Sequence, residues 1–202
     1  MKETKLEMVT RDIIINDILI PAIKKLYKVD YDNIRFGVSE RNICARLAHH
    51  MENIMREYDR SNNSYYFRNY YADVEYNRMG NGDQKQYENS EHRPKYMVSD
   101  LLIQSRGYKR NYLAVEMKRK GNYRNANDDR KRLASMVSPD SHRMHDRCVH
   151  DTMVGAFIVY GIDGVAIELF ENVNGKGENT KTFEFSKEDL RPNRHREQIY
   201  HH

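Results

Sequence analysis

A chain of 202 residues, 39% hydrophobic and 32% charged, is long enough to bury one core; a single domain over 1–202 is expected, with an N-terminal helix appended in 1–30 and a flexible tail over 191–202. No apolar run approaches the ~20 residues that span a bilayer, the start lacks the apolar stretch of a signal peptide, and two cysteines, Cys44 and Cys148, cannot build a disulfide framework, so a cytoplasmic protein without membrane partners is expected. Formal charge is only +4, yet ten Lys/Arg stand against three Asp/Glu between Gln104 and Arg132, a local excess of seven that points to an anionic partner.

From Lys5 to about Tyr27, Leu6, Val9, Ile13, Ile14, Ile18, Leu19, Ile23 and Leu26 keep mostly helical spacing, and Pro21 predicts a kink or restart. Ser39 reads as the N-cap of a second helix to about Tyr58, with Ile43, Cys44, Leu47, Met51, Ile54 and Met55 as its apolar stripe and Glu40 at the start of that stripe. Tyr71 to Arg78 predicts a first, partly polar strand, and Met79 to Pro94, rich in Gly, Asn and Gln, a long loop. Strands over 96–104 and 111–119 follow, then a helix near Asp128 to Val137 that Pro139 ends. Val154–Tyr160 and Val165–Phe170 predict a hairpin through Gly161–Gly164, Asn172 to Asn179 a loop, and Thr182–Phe185 a short edge strand. The order defines an α/β fold with a mixed central β-sheet flanked by helices, an extra N-terminal helix and a C-terminal hairpin with an edge strand.

Three charges interrupt strands that otherwise read as buried: Asp100, Glu116 and Lys118. Alternation puts Glu116 and Lys118 on one face of their strand and Leu113, Val115 and Met117 on the other, and pairing of the two strands brings Asp100 to them. Two carboxylates beside an ammonium suit phosphodiester hydrolysis with a hard divalent cation. Mg2+ (or Mn2+ in its place) takes oxygen ligands from one or two carboxylates and keeps several waters, and Lys118 can position the attacking water or stabilise charge on phosphorus.

Asp100, fifteen intervening residues, then Glu116-Met117-Lys118 resembles the PD-(D/E)XK nuclease superfamily; Ser39-Glu40-Arg41 to Ala48, Glu75 to Arg78, Arg106-Gly107 and Asp129 with Arg132-Leu133 resemble small uncharacterised bacterial and phage-associated members of it. The resemblance spans about residues 35–170 and implies a restriction-endonuclease-like αβββαβ core. It implies Asp100, Glu116 and the Met117 backbone carbonyl as metal ligands, Lys118 as the catalytic lysine, and Glu40 as a helix acid reaching the metal or its waters. It also places the Asp129–Leu133 helix over the sheet near substrate. Two positions depart from the pattern: Ser99 stands where a proline usually precedes the first acid, and Arg132 where the helix usually has a lysine.

Bland explanations compete at each point. Glu-x-Lys is common on solvated strands, Glu40 would be favoured by the helix dipole alone, and Asp73 and Glu75 suit an ordinary strand face. A charge run is usually solvated, but this one surrounds the acids, so Arg106, Lys109, Arg110, Lys120, Arg124 and Arg132 are the candidates for holding a nucleic-acid backbone, DNA before RNA. His142, His145, Cys148 and His150 have zinc-ligand chemistry without the customary paired spacing, and surface histidines on a helix explain them better. The expected activity is a Mg2+-dependent nuclease, with a homodimer as one way to cut both strands. A silent nucleic-acid-binding module of the same fold and a protein-binding defence component are the alternatives.

Overall fold

Pro21 does not end the N-terminal helix. Proline has no N–H and its ring crowds the carbonyl four residues back. The chain widens into a π-helical segment, Ile13–Leu19, in which the Ile20 N–H donates to the Ile15 carbonyl, and Pro21 then falls in the first turn of α1 (Ile20–Val29), where a missing donor costs nothing. This is a computed structural model, and it describes residues 9–75, 86–88, 94–96, 98–105, 111–138 and 152–191.

A short α2 (Tyr31–Arg35), absent from the sequence-based expectation, leads to α3 (Glu40–Ser61), capped by Ser39 Oγ accepting from the Asn42 N–H at 3.3 Å. Asp30, between α1 and α2, fastens α3 through Arg46 Nε at 2.8 Å and His50 Nε2 at 2.6 Å. Burial pushes the Asp30 carboxyl up, but those two partners outweigh it and leave it below the ordinary value.

Six strands form one mixed sheet in the order β1 (Tyr70–Val74), β4 (Leu101–Ser105), β5 (Asn111–Arg119), β6 (Thr152–Gly161), β7 (Gly164–Val173), β8 (Lys176–Ser186). Every neighbouring pair is antiparallel except β5 and β6, which α4 (Ala126–Val137) joins as a crossover. β2 (Gln86–Glu88) and β3 (Pro94–Tyr96) pair separately, where composition predicts a long loop. A four-residue α5 (Lys187–Leu190) opens on a Ser186/Asp189 capping box.

Alternation gives the sheet two apolar faces. Leu101, Ile103, Leu113, Val115 and Met117 pack with α1 and α3, whereas Leu102, Ala114 and Phe157 pack with Leu133, Met136 and Val137 of α4. The result is helices on both faces of a mixed sheet.

Helix α4 sits unusually close to the strands. A Cβ on Gly177 of β8 would overlap the Ala134 carbonyl oxygen, and one on Gly155 of β6 would lie 3.3 Å from Leu133 Cβ. Gly177→Ala must therefore push α4 off the sheet, and a loss of about 1–3 kcal/mol is expected. Urea denaturation checks this, and an unchanged midpoint would show that α4 is free to shift.

Candidate active site

Asp100 immediately precedes β4, and the antiparallel register of β4 and β5, Leu101 with Val115 and Leu102 with Ala114, carries it opposite Glu116. Asp100 Oδ2 accepts from the Met117 N–H at 2.7 Å, which fixes the carboxylate on the end of β5. Glu116 and Lys118 alternate with Val115 and Met117, so both point to the face covered by α4, as the strand period requires. The three charges expected to converge do so.

Helix α4 completes the group with Asp129 and Arg132, which share one helix face at i and i+3. Arg132 Nε donates to Glu116 Oε1 at 2.7 Å and its Nη2 to Asp129 Oδ1 at 2.5 Å; Lys118 Nζ lies 3.1 Å from Asp129 Oδ2. Glu116 and Asp129 are 1% and 3% exposed, so these pairs lie in a low-dielectric setting. Burial pushes the Glu116 carboxyl up to about 8 against the pull of Arg132, with Asp100 and Asp129 adding to the rise. Asp100 is also raised, chiefly by burial, while its bond from Met117 and the nearby Lys118 oppose the shift. Burial alone would lower the Lys118 ammonium; contact with Asp129, reinforced by Asp100 and Glu40, raises it instead.

Glu40 approaches from the opposite helix layer. Its Oε1 accepts from the Arg119 N–H at 3.0 Å and from Asn122 Nδ2 at 2.9 Å, so it caps the end of β5 beside Lys118. Glu75 closes β1 in a left-handed conformation, φ 52°, donates its N–H to the Asp100 carbonyl at 3.1 Å and pairs with Arg41 at 3.2 Å. Between these elements lies Cys44, buried and free, its Sγ 3.4 Å from Met117 Sδ. Burial pushes its thiol up, and Asp100, Glu40, Glu116 and Glu75 all add to the rise. With Asp129, five carboxylates thus converge on one end of the sheet.

Among the described residues, no group of three or more His, Cys, Asp and Glu side chains has the arrangement of a metal site. The donors that do converge are oxygens: Asp100 Oδ1 and Glu116 Oε2 accept no hydrogen bond from any described residue, because the bonds from Met117 and Arg132 use the other oxygen of each. That set fits a hard dication that retains water ligands and does not fit a soft one.

The remaining candidates scatter. Arg132, expected on the nucleic-acid backbone, is bound between two carboxylates, with its side chain 17% exposed. Lys120 pairs with Asp163 at the β6–β7 turn, and Arg124 is exposed. Arg106, Lys109 and Arg110 lie outside the described residues, as do His142, His145, Cys148 and His150; the flanking Ser105 and Asn111 lie at the end of β4 and β5 away from Asp100 and Lys118. Asp129 is the member that residue chemistry alone missed. Its signal was the i,i+3 spacing to Arg132, the pairing that an acid and a guanidinium make on one helix face.

Comparison with protein-family models, with curated proteins and with solved structures finds no match. Among the described residues no helix is long and apolar enough to cross a membrane.

Proposed function

We propose that the chain is a divalent-metal-dependent nuclease that hydrolyses phosphodiester bonds in DNA or a related nucleic acid. One observation carries this: Glu116, buried in a strand and raised to about 8, stands beside Asp100 and Lys118 on the same sheet face. A purely structural strand gains nothing from such a cluster, because each buried carboxylate costs several kcal/mol of desolvation. The element order supports the narrower restriction-endonuclease-like assignment: a helix, three antiparallel strands, a crossover helix, then a parallel strand, α3, β1, β4, β5, α4, β6, with the β2–β3 pair inserted between β1 and β4.

Asp100 and Glu116, with the Met117 carbonyl, would hold Mg2+ or Mn2+, and Glu40 would receive one of its waters. Such an ion, when bound, supplies Lewis-acid polarisation of a phosphoryl oxygen and acidifies a water. Lys118 places a positive charge where phosphorane charge accumulates, and Asp129 holds that ammonium in position. Glu40 fixes the end of β5 through the Arg119 N–H. Arg124, exposed in the segment that follows β5, would hold phosphates, with affinity falling steeply as salt rises.

The 2.7 Å contact of Arg132 with Glu116 favours a second reading, a module that binds nucleic acid without cutting, because a guanidinium already neutralises the acid that a cation would need. Incubation with supercoiled, linear and single-stranded DNA and with RNA separates the two. The nuclease reading expects products with Mg2+ or Mn2+ and none with excess EDTA. Bound but uncut nucleic acid, with no heat of Mg2+ binding by calorimetry, would establish the silent module.

A further inference from the structure

Two large aromatic rings stand in water at the end of the sheet where the acids lie. Phe36 is 74% exposed and Tyr123 57% exposed. Each sits in the loop that leads into one of the two helices flanking β5: Phe36 before α3 on one face of the sheet, Tyr123 before α4 on the other. Both loops are pinned to the strand end between them. Glu40, the first residue of α3, accepts from the Arg119 N–H at 3.0 Å and from Asn122 Nδ2 at 2.9 Å. Gly37, φ 70°, a conformation that L side chains rarely adopt, packs against the Arg119 guanidinium. The rings are thus presented on fixed supports, one on each side of the carboxylate group.

A cation accompanies each ring. The Arg35 guanidinium lies 5.4 Å from the Phe36 ring centre, and Arg124, next in sequence to Tyr123, is exposed. Neither ring packs into the core, so packing does not account for them. Phosphate contacts to a duplex need cations and N–H groups but no exposed ring, because base faces in a duplex are already stacked. Unpaired bases offer those faces, and an exposed ring with an adjoining cation is the chemistry that receives them.

We propose that the polynucleotide entering this site is single-stranded, and that Phe36 and Tyr123 stack its bases on either side of Asp100 and Glu116. This rests on the nuclease reading and names its substrate class. Arg35 against the Phe36 ring, and Arg124 next to Tyr123 in sequence, favour a polyanion over an apolar protein partner.

The test is fluorescence anisotropy of the full chain in EDTA, so that nothing is cut, with labelled single-stranded DNA, single-stranded RNA and duplex DNA of one sequence. A single strand is expected to bind at least about tenfold more tightly than duplex. Phe36→Ala and Tyr123→Ala should each weaken that binding by about tenfold, leaving duplex binding and the melting temperature unchanged, while Phe36→Tyr keeps it. Duplex bound as tightly as single strand, or alanine variants with unaltered affinity, would overturn the inference and leave the nuclease reading standing. Absence of binding to all three polynucleotides would overturn the inference, and the cleavage assay with Mg2+ then decides the nuclease reading separately.

Discussion

Asp100→Asn and Lys118→Ala should each abolish Mg2+-dependent cleavage, a loss of at least about a thousandfold, while both variants stay folded. The fold is expected to survive because neither change leaves a partner residue without any bond, although Asp129 Oδ2 loses its ammonium. In Asp100→Asn the side-chain amide oxygen can still accept from the Met117 N–H, and the change relieves a buried carboxyl that desolvation already raises. Removing the Lys118 ammonium leaves Asp129 bonded to Arg132 at 2.5 Å. The two losses differ in kind. Asp100 supplies one of the two open carboxylate oxygens, so its variant should lose Mg2+ affinity by calorimetry; Lys118 supplies none, and its variant should bind Mg2+ normally yet fail to cut. Cleavage time courses, calorimetry and thermal melts on the same preparations check this. Cutting that persists in both variants would exclude the Asp100 and Lys118 roles.

Much of this centre is legible because it violates a pattern. Glu116 and Lys118 are charges in an apolar strand, and a strict period of two assigns both to one face before any coordinate is known, with Asp100 joining them once the two strands pair. The period does not say which helix covers that face, and there the residues mislead. The charge run around Arg132 predicts a phosphate contact, yet α4 packs on the Glu116 side and turns the guanidinium inward. The C-terminal sheet shows a different limit. The composition of Asn172 to Asn179 predicts a loop, whereas β7 and β8 run through it with only a tight turn at Asn174 and Gly175. Both turn residues have positive φ, 51° and 90°, the Asn-Gly hairpin chemistry that composition obscures. β8 escapes notice because it is largely exposed and so lacks a clear apolar alternation. The π-helical passage before Pro21 depends on i→i+5 bonding, which leaves no period of its own among the surrounding helical apolar positions.

Arg132→Met should destabilise the metal-free protein by about 3–5 kcal/mol at pH 9 and by clearly less at pH 6. The sign follows from Glu116, whose carboxyl is raised from 4.5 to about 8 in the folded chain. Below pH 4.5 the folded and unfolded states both carry its proton. Between 4.5 and about 8 only the folded state keeps it, so this group's contribution to stability falls as pH rises through that window. Burial drives the shift and Arg132 is the group that most opposes it, so removing the guanidinium moves the carboxyl further up. At pH 6 the variant can keep Glu116 neutral and loses mainly the bond to Asp129. At pH 9 the same variant must either ionise a carboxylate with 1% exposure and no cation, or hold a proton against bulk solvent. Adding Glu116→Gln to Arg132→Met removes the charge that was left unpaired and should recover most of the loss at pH 9. Urea denaturation of the wild type, the single variant and the double variant in EDTA at both pH values tests this. Equal losses at pH 6 and pH 9, or no recovery in the double variant, would show that Arg132 stabilises by packing alone. Recovery would show that Glu116 needs a cation wherever it is ionised, a requirement that a bound Mg2+ would share with Arg132.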